Sequence, residues 1–170
     1  MRLSTKGRYA VMALVDLAKC SNGAPVSLAD IADRQEISLS YLEQLFSKLR
    51  KGGLVNSVRG PGGGYLLARP APDVRISDII LAVDEPIRTT RCQPNSSVGC
   101  RSDSSRCLTH DLWAELGNQI HLYLSSVSLE DVYEKRILGT SGIPLPDAVG
   151  KVDDMSRYHA PALPVANIAT

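Results

Sequence analysis

The chain has 170 residues, of which 22% are charged, and a formal net charge of +1 at pH 7. That length suits one domain with appendages and a modest core. A start unlike a signal peptide, and the lack of an apolar run long enough to span a bilayer, lead us to expect a cytoplasmic protein with no membrane association. In that reducing compartment a disulfide role for its four cysteines is disfavoured. Charge is uneven along the chain. Residues 1–69 hold ten Lys or Arg against five Asp or Glu, and residues 70–170 hold nine against thirteen. A basic first part on a near-neutral protein is consistent with a polyanion-binding face, although a charged face is more often simply solvated.

The spacing predicts a helix over 5–20, with Val11, Leu14, Val15 and Ala18 at helical intervals, ended by the run Ser21 to Pro25. Ser27 is placed to cap a short second helix, with Asp30 at the capping-box position and Leu28, Ile31 and Ala32 apolar. A turn through Gln35, Glu36 and Ile37 leads to Ser38, the expected cap of a third helix that reaches Lys51 and stops at Gly52-Gly53. Two short helices joined by a tight turn read as a helix-turn-helix.

The third helix has two faces. Leu42, Leu45, Phe46 and Leu49 fall at i, i+3, i+4 and i+7 and are expected inside, while Ser40, Gln44, Ser47 and Lys51 line the other side, flanked by Tyr41, Glu43 and Lys48. Short hydrogen-bonding groups near the helix start, with cations towards its end, suit a helix set end-on in the major groove. There Ser38, Ser40 and Gln44 can meet base edges, Glu43 can accept from a cytosine amine, and Lys48 and Lys51 can meet phosphates. Residues 54–59 read as a strand, Gly60 to Gly64 as a turn and residues 65–68 as a returning strand. A hairpin directly after a recognition helix is a wing. Arg59, with Gly60 and Pro61 at the tip, is placed for a minor groove, where narrow A/T-rich stretches attract arginine. The glycines are not a phosphate-cradling loop, because no Gly-Lys-Ser/Thr follows and no helix starts there.

After Pro70-Ala71-Pro72, Ser77 is the expected cap of a helix from Asp78 to Asp84 whose Ile79, Ile80 and Val83 close the winged core. Next comes Cys92-x7-Cys100-x6-Cys107-x2-His110, in a loop dense in Ser, Gly, Pro and Asn. Such a loop buries little apolar surface, so packing is a poor reason for its cysteines. Three thiolates and an imidazole make a four-ligand set suited to iron–sulfur or to Cys3His zinc, the alternative being incidental surface cysteines. Cys20 lies outside this motif and is expected to be a buried or incidental thiol. Thr109 is placed to cap the longest helix, to Ser126, with a stripe of Leu112, Leu116, Ile120, Tyr123, Leu124 and Val127 beside Trp113. A small winged domain has little core left to cover it, so it is expected to pair with its copy in a homodimer that presents two recognition helices to a pseudo-palindromic operator on double-stranded DNA. Ser128 starts one more short helix, and residues 136–170 read as a disordered tail. No acid–base pair or nucleophile–base motif emerges, so an enzyme is not expected.

The segments MRLSTKGRYAVMAL, ISLSYLEQLFSKLRKGGLV, SVRGPGGGYLLA, AVDEPI and RCLTHDLW together resemble the iron–sulfur cluster regulators among the Rrf-type winged-helix repressors, over about residues 1–135. The resemblance implies a mainly α fold with a small β-hairpin: a winged helix-turn-helix domain over 1–84, a cluster-binding loop over 85–110 and a dimerisation helix with a short following helix over 109–135. It further implies a homodimeric transcription factor, mainly a repressor of cluster-assembly and iron-homeostasis genes. Its [2Fe-2S] cluster would sit on Cys92, Cys100, Cys107 and His110. The x7 and x6 gaps are longer than in that pattern, but lengthening a loop costs little entropy, so ligation is expected to survive. The alternatives are a nitric oxide or redox sensor of the same family and a zinc-stabilised winged-helix interaction module.

Overall fold

A computed structural model describes residues 5–85, 89, 99–101 and 103–137. In chain order the elements are α1 (Thr5–Cys20), α2 (Leu28–Gln35), α3 (Leu39–Lys51), β1 (Val55–Val58), β2 (Gly64–Leu67), a 3-10 turn (Ala71–Asp73), α4 (Ile76–Ala82), α5 (His110–Ser126) and α6 (Leu129–Tyr133). From residue 138 on, the expected tail lies outside the described residues.

Helix α1 is central: α2, α3, β2, α4 and α6 all lie against it. This explains a shift in its apolar face. Ala10, Ala13, Leu14 and Leu17 are fully buried, whereas Val11, Val15 and Ala18 are partly buried at the edge of the core. A helix covered on several sides needs a wide apolar surface, and alanines let its neighbours approach closely. The same crowding buries Asp16, which no apolar pattern would reveal. Arg34 forks onto it, Nε to Oδ1 at 3.0 Å and Nη2 to Oδ2 at 2.7 Å, and Gln35 Nε2 donates to Oδ1 at 2.9 Å. These bonds tie the end of α2 to the middle of α1 and raise the pKa of Arg34.

The helix-turn-helix forms by local rules. The Ser27 hydroxyl accepts the Asp30 N–H at 3.1 Å, as its capping position predicts. Glu36 closes α2 in the left-handed region at φ 53°, its N–H donated to the Ala32 carbonyl. Ile37 donates to the same carbonyl at 3.2 Å and buries its side chain, so the turn is pinned from both sides. In α3 the buried residues are Leu42, Leu45, Phe46 and Leu49, the expected four.

The hairpin is antiparallel, with Val55 opposite Leu67 and Val58 opposite Gly64. A third segment joins it that the sequence did not suggest. The Val26 N–H donates to the Tyr65 carbonyl at 3.0 Å and the Tyr65 N–H donates to the Val26 carbonyl at 2.8 Å. The Tyr65 ring meets Phe46 of α3 edge-on, centroids 4.8 Å apart.

Helix α4 runs from Ile76 to Ala82, and Ser77 is a buried residue inside it rather than its cap. The chain enters α4 already bonded elsewhere. Ile76 donates to the Val127 carbonyl at 3.1 Å and Leu129 donates to the Val74 carbonyl at 2.8 Å, a bridge centred on Arg75 and Ser128. Ile79, Ile80 and Val83 are buried as expected. Ser128 caps α6 through a capping box with Asp131. The Ser128 hydroxyl and N–H, with Arg136, hold the Asp131 carboxyl at a pKa of about 2. Leu129 is fully buried, so α6 contributes to the same core as α1 and α4.

Asp16→Ala strands Arg34 and Gln35 without their acceptor, and is expected to lower the unfolding free energy by about 1–3 kcal/mol. Denaturant titration checks this, with a lower midpoint and an unchanged slope. A midpoint equal to wild type would show that the cluster contributes nothing net.

Candidate DNA interface and cysteine–histidine loop

The exposed side of α3 carries Ser40, Glu43, Gln44 and Lys51, with Ser38 exposed just before its first turn. The Ser38 hydroxyl makes no capping bond; its carbonyl instead accepts Tyr41 N–H at 3.1 Å and Leu42 N–H at 3.0 Å. That leaves the hydroxyl on the outer surface with Ser40 and Gln44. Lys48, Arg50 and Lys51 gather in the last turn, with Arg50 reaching towards Ser57 of β1. At the wing tip Arg59, Gly60 and Pro61 are exposed, and the turn closes with the Gly63 N–H on the Gly60 carbonyl at 2.9 Å. Gly60 and Gly62 have φ of 109° and 72°, a turn that non-glycine residues rarely enter.

Two of the expected DNA-facing residues are engaged with the protein. Tyr41 packs edge-on against Tyr9 of α1, centroids 6.0 Å apart. Lys48 Nζ lies 2.7 Å from Asp84 Oδ2, just beyond α4. Neither contact was visible in sequence, because both join residues more than thirty positions apart.

The cysteine loop meets α5 at its first residue. Cys100 Sγ is 3.7 Å from His110 Nδ1, and the Cys107 N–H donates to Cys100 Sγ at 3.1 Å. The Cys107 thiol is turned to Thr109 Oγ1 at 3.7 Å, and the His110 N–H donates to the Cys107 carbonyl at 3.0 Å. Cys92 lies outside the described residues. Among the described residues no three His, Cys, Asp or Glu side chains converge on one metal position. The loop is closed by Gly99 donating to the Ser104 carbonyl at 2.8 Å, and by Asp103, whose carboxylate accepts the Ser105 N–H and hydroxyl; those bonds lower the Asp103 pKa. A clip missed in sequence lies at Thr89, whose hydroxyl donates to the Trp113 carbonyl. Gly117 makes room for it, since a Cβ there would stand 2.5 Å from Thr89 Oγ1. Cys20 is exposed, not buried, because α1 ends there and its last residues turn outward.

None of the residues of α5 is buried. Leu112, Trp113, Leu116, Leu122 and Tyr123 are all exposed, while Leu124 touches the core and Val127, just past the helix, is buried in it. No helix among the described residues is long and apolar enough to cross a membrane.

A family model, Rrf2, described as iron-dependent transcriptional regulator, matches residues 3–135. The chain belongs to the Rrf2 family. It is 55% identical over 143 residues to the HTH-type transcriptional regulator IscR of Photorhabdus laumondii, covering 84% of this chain and 85% of that protein. It is 52% identical to IscR of Escherichia coli O1:K1 over 143 residues, covering 84% and 86%. Among solved structures it resembles T. potens IscR with a TM-score of 0.63 and 35% identity, over 86% of this chain and 94% of that one. It also resembles CymR, the global cysteine regulator of B. subtilis, with a TM-score of 0.66 and 33% identity, over 79% and 98%. This Rrf2 protein is therefore a DNA-binding transcriptional regulator of the helix-turn-helix type and not an enzyme. The mainly α fold with its small hairpin agrees with those structures.

On this geometry Gln44→Ala is expected to cost roughly 1–3 kcal/mol at one or two base pairs only. Lys51→Ala should weaken binding to all sequences and reduce the salt slope by about one unit, and Arg59→Ala should act mostly at A/T-rich, narrow-groove positions. Titrations against single-base variants of a bound duplex, repeated over salt, check all three. Equal losses on specific and random DNA for Gln44→Ala would remove it from base readout.

Proposed function

We propose that this Rrf2 protein is a homodimeric regulator that senses iron–sulfur supply. In this reading it binds a pseudo-palindromic operator and controls cluster-assembly and iron-homeostasis genes, mainly as a repressor. Ser38, Ser40, Tyr41, Glu43, Gln44, Lys48 and Lys51 form the major-groove surface, and Arg59, Gly60 and Pro61 the minor-groove tip. Cys92, Cys100, Cys107 and His110 hold a [2Fe-2S] cluster. The family description, iron-dependent transcriptional regulator, and the relatives named IscR support the reading.

The observation that carries it is the approach of Cys100 Sγ to His110 Nδ1, 3.7 Å, at the first residue of α5. The donor chemistry fits the cluster in three respects. Thiolate and imidazole are both ligands of [2Fe-2S] centres, and imidazole raises the potential relative to thiolate. The Cys107 N–H already points at the Cys100 sulfur, and such bonds stabilise a charged sulfur. The loop ends at the N-terminus of α5, where the helix dipole favours negative charge. A bound cluster would supply a labile redox group at this end of α5. Of the residues that would hold it, His110 is set by its own helix and Cys107 by the bond from His110 N–H to its carbonyl, while Thr89 is bonded to Trp113 of the same helix.

Two tests follow. Protein purified without oxygen should be red-brown and carry about two iron and two sulfide per protomer. His110→Ala should lose most of that occupancy, and His110→Cys should retain a cluster of lower potential that is lost more slowly. A colourless protein with stoichiometric zinc would overturn the cluster reading, and His110→Ala with wild-type occupancy and visible circular dichroism would remove His110 from the ligand set.

The dimer is tested separately through α5. Leu116→Asp with Ile120→Asp places unpaired charge in the proposed interface, which is strongly unfavourable. The variant should sediment as a monomer, bind DNA weakly and still unfold cooperatively. Should it remain dimeric, α5 is not the interface.

A further inference from the structure

Asp84 and Glu85 follow α4 and begin the run of residues that leads to Cys92. Both are turned onto the winged domain. Asp84 has φ 56°, donates its N–H to the Leu81 carbonyl at 3.0 Å and sets Oδ2 2.7 Å from Lys48 Nζ. Glu85 donates its N–H to the Ile80 carbonyl at 3.2 Å and accepts the Gly7 N–H on its carboxylate. That N–H belongs to the first turn of α1, where backbone donors have no partner within the helix. Glu85 thus caps α1 from a distance and approaches closely, since a Cβ on residue 7 would stand 2.5 Å from Glu85 Oε2 and push that carboxylate aside. Lys6 of α1 lies close to Lys48 as well. Two lysines and two carboxylates meet at one corner, where α1, α3 and the end of α4 come together.

Stability does not explain why Asp84 is held against Lys48. The Lys48 side chain is 37% exposed and that of Asp84 74%, and an exposed ion pair contributes about 0–1 kcal/mol. Placement is more informative. Lys48 stands one turn after Gln44 and three residues before Lys51 on α3. A lysine already paired with a carboxylate releases fewer counterions when it meets a phosphate, so it adds less to DNA affinity.

We propose that Asp84 is a built-in brake on DNA affinity: it competes with DNA phosphate for Lys48, with Glu85 holding it in place. The brake acts on every sequence alike, since it concerns a phosphate contact and not a base. The inference rests on the reading of α3 as the DNA-facing helix, and the test separates the two.

The probe is a random-sequence duplex of about 30 base pairs, titrated with the full chain across a range of salt. Asp84→Asn should bind it more tightly than wild type, with the salt slope steeper by about one unit, so that its advantage roughly doubles each time salt is halved. In a Lys48→Ala background the same change should have no effect. Lys48→Ala alone should reduce the slope by less than Lys51→Ala does, a comparison that holds even if Asp84→Asn folds poorly. Asp84→Asn that melts like wild type and binds no more tightly would overturn the brake, as would a gain that persists in the Lys48→Ala background, or a Lys48→Ala loss equal to that of Lys51→Ala. If Lys51→Ala itself leaves binding unchanged, the reading of α3 fails and the brake falls with it.

Discussion

The reading surface is held together at Tyr65. Its backbone exchanges two hydrogen bonds with Val26, in the connection between α1 and α2, and its ring packs edge-on against Phe46 of α3. One residue of the wing thereby fixes the wing to both halves of the helix-turn-helix. The two hydrogen bonds contribute about 1 kcal/mol each, and an aromatic pair adds about 0.5–1.5 kcal/mol beyond its buried area. The neighbouring residue shows how tight the fit is: a Cβ at Gly64 would stand 2.3 Å from the Val26 carbonyl oxygen. If the wing could not approach this closely, Arg59 at its tip and Gln44 on α3 would not be held in a fixed relation, as the proposed reading of two adjacent grooves requires.

Much of this architecture was legible from local pattern. The apolar stripe of α3, the Ser27 and Ser128 caps and the Gly-rich wing turn each follow from short-range rules, and each is where it was expected. What escaped was long-range pairing. Val26 pairs with Tyr65 without belonging to a strand long enough to have a pattern, and the bridge between Arg75 and Ser128 displaced the cap assigned to Ser77. Asp16 carries no apolar periodicity at all, yet its bonds to Arg34 and Gln35 decide how α2 sits on α1. At the interface the same limit applies. Ser40, Gln44, Lys51 and Arg59 are on the outer surface as their spacing required, but nothing local announces that Tyr41 packs on Tyr9 or that Lys48 is paired with Asp84.

Helix α5 poses the opposite problem, a sequence pattern that the chain satisfies only at its end, where Leu124 and Val127 meet the core. Leu112, Trp113, Leu116, Leu122 and Tyr123 lie exposed along one helix, and a helix that buries so little gains little stability from its own hydrogen bonds. Leu112, Leu116 and Tyr123 share one face of it at helical spacing, which is the face the proposed dimer would cover. Under the proposed dimer the same helix that joins two protomers also carries His110 at its first residue. Cluster ligation and assembly would then share one element, and stabilising either would favour the other by mass action.

In the proposed function a winged helix-turn-helix reads DNA under the control of a cluster held at the start of α5. The most direct measurement is anaerobic binding to a duplex selected from a random library by the cluster-loaded protein. Affinity for that duplex should change when iron is stripped with a chelator and return on reconstitution, while binding to random DNA stays nearly constant. Identical affinity and identical sequence preference in the loaded and stripped states would contradict the account.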